Sequence, residues 1–323
     1  MTKIALFFGG KISKHLVLVR NSARKIGVEL DLVSYNNVSF ETESGKISLR
    51  GKDVNDYDVL FFRTTGKHWE EVDLIINSIK REDMVVIDSL VRYGKPSYAC
   101  KAWQMLKLKE AGIKVPKSIY GSLWYLYEKM TGSQHVFADA HTNASRVVAA
   151  LPKNTIASPF LFPVIIKGSG GDRGTRVFKA DNLEELEKLV RDLRKTEIEE
   201  GRRYMLQEYI ENDGDYRVLV LGEKVLGAMK RVRTSKNEFR NNYSLGGKVE
   251  VVDLPEEIKQ LAVKAAKICG LAVAGVDVVF RDSEMKKPVI WEVNKGPQFS
   301  GFMKATGIDV PMEMVKYLVS LKK

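Results

Sequence analysis

The chain opens on a continuous apolar run, Ile4–Phe8, and then turns polar up to Ser13. Beyond it Leu16, Val19 and Ala23 recur three and four positions apart. That pattern predicts a buried strand followed by a helix with Ser13 as its N-cap, because a hydroxyl there takes a backbone N–H left free by the first turn. Val28–Tyr35, Asp58–Phe62 and Met84–Ile87 read as further strands, and Trp69–Ile79 has helical spacing. Strands alternating with helices imply a small parallel α/β domain over residues 1–95.

A helix is expected over Tyr98–Ala111, stopped by Gly112 and by Pro116 soon after. The stretch Trp124–Phe160 mixes aromatics, His135 and His141 without a period, and reads as an irregular insertion. Pattern resumes with strands at Phe162–Lys167 and Thr175–Lys179 around a glycine loop at Gly168–Gly174. A helix starting at Asp181, with Glu184 three positions on, matches a capping box. Strands follow at Tyr204–Tyr209, Tyr216–Leu221 and Lys224–Lys230, then an amphipathic helix Glu256–Cys269 ending at Gly270. Val273–Phe280 and Val289–Asn294 are expected to pair as a hairpin, and no internal repeat is present. The whole divides into 1–95, 96–207 and 208–323, an α/β unit followed by an α+β region.

Composition narrows the classes. With 323 residues, 44% hydrophobic and 9% aromatic, the chain can fill several cores and is not a disordered protein. Cys100 and Cys269 stand alone, without a second Cys or His at metal spacing, so neither a disulfide framework nor a zinc site is expected. The first apolar run is too short for a signal peptide and no stretch is long enough to span a membrane, which predicts a cytoplasmic protein. The formal charge of +11 favours an anionic partner: acidic peptide, nucleotide, nucleic acid or membrane surface.

Four groups of residues carry candidate chemistry. Glu292 and Asn294 alternate with Trp291 and Val293, so they share a strand face that Asp277 reaches if the hairpin forms. Two carboxylates and an amide oxygen suit magnesium, with positions left for phosphate oxygens. Lys167 through Gly174 hold four glycines, Gly171 and Gly174 among them, whose backbone amides can approach an anion. Gln207-Glu208-Tyr209-Ile210 followed by Asp215-Tyr216-Arg217 can offer an edge to an adenine and a carboxylate to a ribose. Arg231 and Arg233 alternate along a strand, as solvated arginines do. With Arg240, Asn241, Asn242 and the Gly246-Gly247 turn they form a possible phosphoryl clamp. His15, His68, His135 and His141 lie outside these groups and read as surface or packing residues.

The order of these motifs along residues 95–323 resembles the ATP-grasp superfamily, most closely its RimK-type branch of glutamate ligases and relatives. Gly-Val-Asp ending at Asp277 and Glu-Val-Asn ending at Asn294 are the specific part of that resemblance. It implies a pre-ATP-grasp α/β domain followed by two subdomains clasping ATP. It assigns Lys101 and Lys167 to the nucleotide phosphates, Glu208, Tyr209 and Ile210 to adenine, and Asp215 to ribose. Arg240, Asn241 and Asn242 fall on the triphosphate side. Asp277, Glu292 and Asn294 become ligands of magnesium or manganese, with Glu292 bridging two ions, and Arg217 and Arg231 face an acyl phosphate.

The implied activity is an ADP-forming carboxylate–amine ligase joining an amino acid or amine to an acidic peptide or small-molecule carboxylate. Relatives often form dimers or tetramers. Rival readings with the same residues are a peptide macrocyclase, a small-molecule kinase, and a nucleotide-gated binding module. No nucleic-acid motif accompanies the positive charge. Three departures stand out: Arg176 where the family commonly has glycine, Lys295-Gly296-Pro297-Gln298 where it commonly reads Ser-Ser-Pro-Gly, and a long 124–160 stretch.

Overall fold

The structure, a computed structural model, describes residues 1–93, 100–132, 160–169, 176–232 and 248–322. The chain begins with β1 (Lys3–Phe8), α1 (Lys14–Lys25), β2 (Glu29–Ser34), β3 (Val38–Glu41), β4 (Lys46–Leu49), β5 (Lys52–Asp53) and β6 (Val59–Phe62). Then come α2 (Trp69–Asn77), β7 (Val85–Ile87), α3 (Ser89–Tyr93) and α4 (Lys101–Glu110). Four of these strands form a parallel sheet in the order β2-β1-β6-β7. Its central strands read as unbroken apolar runs because both faces are covered. Ser13 caps α1 as expected, its Oγ accepting from the Leu16 N–H at 3.4 Å. The antiparallel ribbon β3-β4-β5 was not legible: β3 is largely exposed and carries no apolar run.

Residues 116–211 form a compact unit of their own. It holds β8 (Ser118–Gly121), α5 (Leu123–Thr131), β9 (Val164–Gly168), β10 (Val177–Ala180), α6 (Leu183–Glu199) and β11 (Tyr204–Glu208). The antiparallel sheet β10-β9-β11-β8 is covered by α5 and α6. Helix α5 corrects the reading of Trp124 onward as irregular: Leu123, Leu126 and Met130 are buried at helical spacing that the neighbouring aromatics disguise. Glu197, 2% exposed, accepts from the Leu123 N–H at 2.8 Å and so reinforces the Ser122 cap. The cap of α6 is Asn182, one residue beyond the expected Asp181; its Oδ1 accepts from the Glu185 N–H at 2.9 Å. Residues 133–159 of the expected insertion lie outside the described residues.

The other compact unit joins residues 1–115 to 212–323. Its second part comprises β12 (Gly214–Leu221), β13 (Lys224–Val232), β14 (Lys248–Val252), α7 (Glu256–Ile268), β15 (Val273–Phe280), β16 (Pro288–Lys295), α8 (Ser300–Thr306) and α9 (Val310–Ser320). The strands make an antiparallel sheet, β14-β13-β12-β15-β16, with the expected β15–β16 hairpin in it. One core explains the union of distant segments: Leu6, Phe8, Leu16 and Val19 pack in a cluster with Leu219, Val273, Phe302, Met314 and Leu318. Neither segment could bury those side chains alone, and burial of apolar area is the main force holding them.

Candidate active site

Strand register creates a row of charge on one face of the five-stranded sheet. Asp215 and Arg217 are two apart on β12 and therefore share a face. Asp215 lies opposite Arg231 on β13, Arg217 opposite Asp277 on β15, and Asp277 opposite Glu292 on β16. A bulge between Asp277 and Val278 absorbs Trp291, so Glu292 meets Asp277 squarely. Gly275, opposite Asn294, is needed here: a Cβ would lie 2.9 Å from Arg217 Cδ, in the path by which that side chain reaches Asp277.

The row is hydrogen-bonded throughout. Arg217 donates to Asp277 from Nε and, at 2.7 Å, from Nη2. Arg231 donates to Asp215 from Nε at 2.7 Å and from Nη2, and its Nη2 also lies 2.9 Å from Asp277 Oδ2. Asp215 and Asp277 are each 1% exposed and Arg231 5%, so these ions depend on one another rather than on water. Burial pushes the Asp277 carboxyl up, but Arg217 and Arg231 outweigh it and hold it at about 2. Burial dominates at Asp215, whose carboxyl is raised. Arg231, placed by the resemblance facing an acyl phosphate, is thus an interior residue. Asp215, expected on a ribose, has both oxygens on Arg231. In both arginines Nη1 takes no part in these pairs.

At the β16 end the row opens. Lys101, the first residue of α4, forms an ion pair with Glu292 and donates to Asn294 Oδ1 at 3.3 Å. Asn294 turns its Nδ2 toward Asp277 Oδ2, 3.1 Å away. An ammonium therefore sits between two oxygens of the expected magnesium set, which fits a place built for a cation. Glu292 and Asn294 meet that requirement directly. Asp277 reaches the same edge, but Oδ2 already accepts from Arg217, Arg231 and Asn294. Among the described residues no group of three or more His, Cys, Asp or Glu side chains could hold a metal by itself. Such a sparse set suits magnesium arriving with phosphate oxygens as its further ligands.

The 116–211 unit carries the other described candidates. Lys167 stands near the end of β9, opposite Val177 and Met205. Glu208 closes β11, and its Oε1 accepts from the Lys117 N–H at 2.7 Å, so its carboxylate serves the strand end. The Tyr209 ring lies 5.0 Å from Lys179 Nζ, and Ile210 is 6% exposed. Arg176 is tied back into the sheet, its carbonyl accepting from the Gly168 N–H at 2.9 Å. Gly171, Gly174, Arg240, Asn241 and Asn242 lie outside the described residues, as do His135 and His141. His15 and His68 are packing residues: His15 meets Phe299 edge-on at 4.5 Å and His68 stacks on Tyr35 at 4.7 Å. Sequence reading missed Arg63 and Asp88, both buried beside Lys295. An Arg directly after an apolar strand and an Asp directly after another were the available signals.

A family model described as a RimK-like ATP-grasp domain matches residues 138–318, more than half of the chain. A probable alpha-L-glutamate ligase of Rhodopirellula baltica is 37% identical over 158 residues, 48% of this chain and 37% of that protein. The chain covers about half the length, 50%, of two other such relatives. A probable alpha-L-glutamate ligase of a Marinomonas species is 27% identical over 301 residues, 92% of this chain and 88% of that protein. The structure of the ATP-grasp ligase PsnB complexed with a minimal precursor aligns with a TM-score of 0.65 at 19% identity, covering 100% of this chain and 99% of that one. At that identity the likeness shows the fold.

Proposed function

The chain belongs to the RimK-like ATP-grasp family, and on that premise we propose that it is an ATP-dependent, ADP-forming carboxylate–amine ligase. Its substrates would be an acidic peptide or small-molecule carboxylate and an amino acid or other amine. The observation that carries this reading is the row ending at Glu292 and Asn294: paired arginines inside, and a cation-binding edge beside them. Magnesium held by Glu292 and Asn294, with Asp277 alongside, would offset charge on the nucleotide phosphates.

The chain's own residues then position and screen. Lys101 and Lys167 meet phosphate oxygens; Glu208, Tyr209 and Ile210 line the adenine; Gly171, Gly174, Arg240, Asn241 and Asn242 complete the nucleotide contacts. A substrate carboxylate attacks the γ-phosphorus, ADP leaves, and an acyl phosphate forms. The amine then attacks the acyl carbon and phosphate departs with the C–O electron pair. Arg217 and Arg231 face these steps with Nη1, while Asp277 and Asp215 fix their orientation, so little reorganisation is needed when charge develops. The division at 95 and 207 is proposed as the boundary between family pieces. A cytoplasmic location fits the need for ATP, and among the described residues no helix is long and apolar enough to cross a membrane.

The test is ADP release with ATP and magnesium, using pooled amino acids with and without a Glu-terminated peptide, and Glu292→Gln as the blank. ADP that requires both acid and amine, with a new amide seen by mass spectrometry, is the expected result. ADP formed without any amine points to a kinase, and no ADP in any mixture counts against the ligase.

A further inference from the structure

The antiparallel ribbon β3-β4 and helix α2 do not close on each other. Between them lies an open cavity of about 690 Å³, within the range of about 300–1,000 Å³ in which folded chains take up ligands. Phe40 lies opposite Ile47 across the ribbon, so their side chains share a face, and both line the cavity. Ile47 belongs to a buried core, and Trp69 packs against that same core. Phe40 is instead 52% exposed, and Leu74, on the α2 wall, is 44% exposed. Two large apolar side chains around one opening form a surface that gains by being covered.

Helix α2 gives one face to the core and another to the cavity. Val72 and Ile75 are buried, whereas Glu70, Asp73 and Leu74 line the cavity at the spacing of neighbours on one helical face. Glu70 and Asp73 make no ion pair among the described residues. The adjacent Glu71 takes His68, and Lys80, the one cation lining the cavity, acts on Asp53. The turn between β3 and β4 adds Glu41 and Glu43, with Lys46 as its cation. Four carboxylates thus stand against two ammoniums here, on a chain whose formal charge is +11.

The walls define the occupant. Aromatic and aliphatic surface asks for apolar side chains, and carboxylates beside it ask for ammonium or guanidinium groups. An acidic acceptor would meet like charge, so this is not a place for the acid substrate. The wall runs along α2 from Glu70 toward Lys80, about 10 Å or more, which suits an extended peptide better than a compact molecule. The cavity is also joined to the candidate active site. Trp69, one of its walls, lies 5.7 Å from Lys295 Nζ, and Lys295 directly follows Asn294 on β16. We propose that the groove between β3-β4 and α2 docks an extended, basic and apolar segment of a separate polypeptide. Its apolar side chains rest on Phe40, Trp69 and Leu74, and its Lys or Arg side chains meet Glu70 and Asp73. The proposal is independent of the ligase reading and goes beyond it.

The experiment is titration of the full chain, by calorimetry and tryptophan fluorescence, with blocked nonapeptides that alternate leucine or phenylalanine with lysine or arginine. Two control sets replace the apolar residues by serine or the basic residues by glutamate. The chain's net charge opposes uptake of a cationic peptide, so saturable one-to-one binding requires a local acidic site. Binding at least about tenfold weaker for either control is expected, with further weakening at high salt. Leu74→Ser should weaken binding at least about fivefold, and Glu70→Gln combined with Asp73→Asn about threefold. Because these side chains are exposed, the melting temperature should not change. Absence of saturable binding overturns the proposal, as does equal binding of either control or equal binding by Leu74→Ser. Self-association of the chain that Leu74→Ser abolishes in sedimentation also overturns it, since the occupant would then be a second copy. The peptide comparison on the unaltered chain needs no variant to fold. Loss of this groove leaves ADP formation and the ligase reading untouched, and the converse also holds.

Discussion

Two clusters of buried charge, each of aspartate and basic residues in one compact unit, are completed in different ways. The Asp215–Arg231–Asp277–Arg217 row spans adjacent strands in register, and each carboxylate there is bonded to a guanidinium. The Arg63–Asp88–Lys295 cluster comes from three strand ends and leaves one polar atom of each residue without a bond among the described residues. Cross-strand register can deliver opposite charges at hydrogen-bond distance, so the chain satisfies itself. Strand ends converge without register, and three buried polar atoms are left over. The first cluster holds a framework still; the second has unused bonding capacity.

The comparison can be broken most sharply at Asp277. Asp277→Asn removes the charge that Arg217 and Arg231 share, and losing one partner of a buried set costs about 3–5 kcal/mol. Urea unfolding should show a loss of that size. A change below about 1 kcal/mol would mean that the row is not the framework described here.

Much of that row was legible beforehand, and the reason is periodicity. Alternation along β16 put Glu292 and Asn294 on one face, and a hairpin with β15 brought Asp277 to them, as the register shows. The burial of its inner half was not legible because a run such as Lys230-Arg231-Val232-Arg233 has the same pattern whether its arginines meet water or buried aspartates. Only pairing with β12, fixed by residues elsewhere in the chain, makes Arg231 an interior residue. The same limit hid Arg63 and Asp88: each stands alone in sequence, and their proximity depends on sheet order. Helix α5 and the ribbon β3-β4-β5 escaped for a local reason, since aromatic crowding in the one and exposure in the other blur the apolar spacing.

At the open edge, function and stability should part company. Glu292→Gln is expected to lower ADP formation by at least about 100-fold, since even groups behind a metal ligand contribute 10–100-fold. Its unfolding free energy should move by less than about 1 kcal/mol, because the Lys101–Glu292 pair is partly exposed at 40% and 29%. A large stability loss with retained ADP formation would assign Glu292 to the framework instead. Lys295→Met sharpens the contrast from the other side. Removing a buried ammonium that no hydrogen bond compensates should leave the ligand-free chain as stable as before, or more stable by about 1 kcal/mol. A loss like that of Asp277→Asn would show that Lys295 is paired in solution and would erase the difference between the clusters.

The smallest effects are in the pH dependence, and they have the same sense at opposite ends of the scale. Asp277 is held at about 2, below its ordinary 3.8, so the folded state binds fewer protons than the unfolded one in that window. Its contribution to stability is therefore complete above about pH 4 and is lost as the pH falls through about 2. The raised carboxyl of Asp215 opposes part of this loss. Lys295 is displaced in the same direction, because burial lowers its ammonium from 10.5 to about 8 against the weaker pull of Asp88. Between those values the unfolded chain again holds more protons, so stability should rise with pH across the alkaline window. Unfolding free energies measured against pH should thus show the gap between the natural chain and Asp277→Asn closing toward acid. The gap between the natural chain and Lys295→Met should shift in favour of the natural chain toward alkali. Parallel curves at both ends would mean that neither cluster keeps its charges inside the protein.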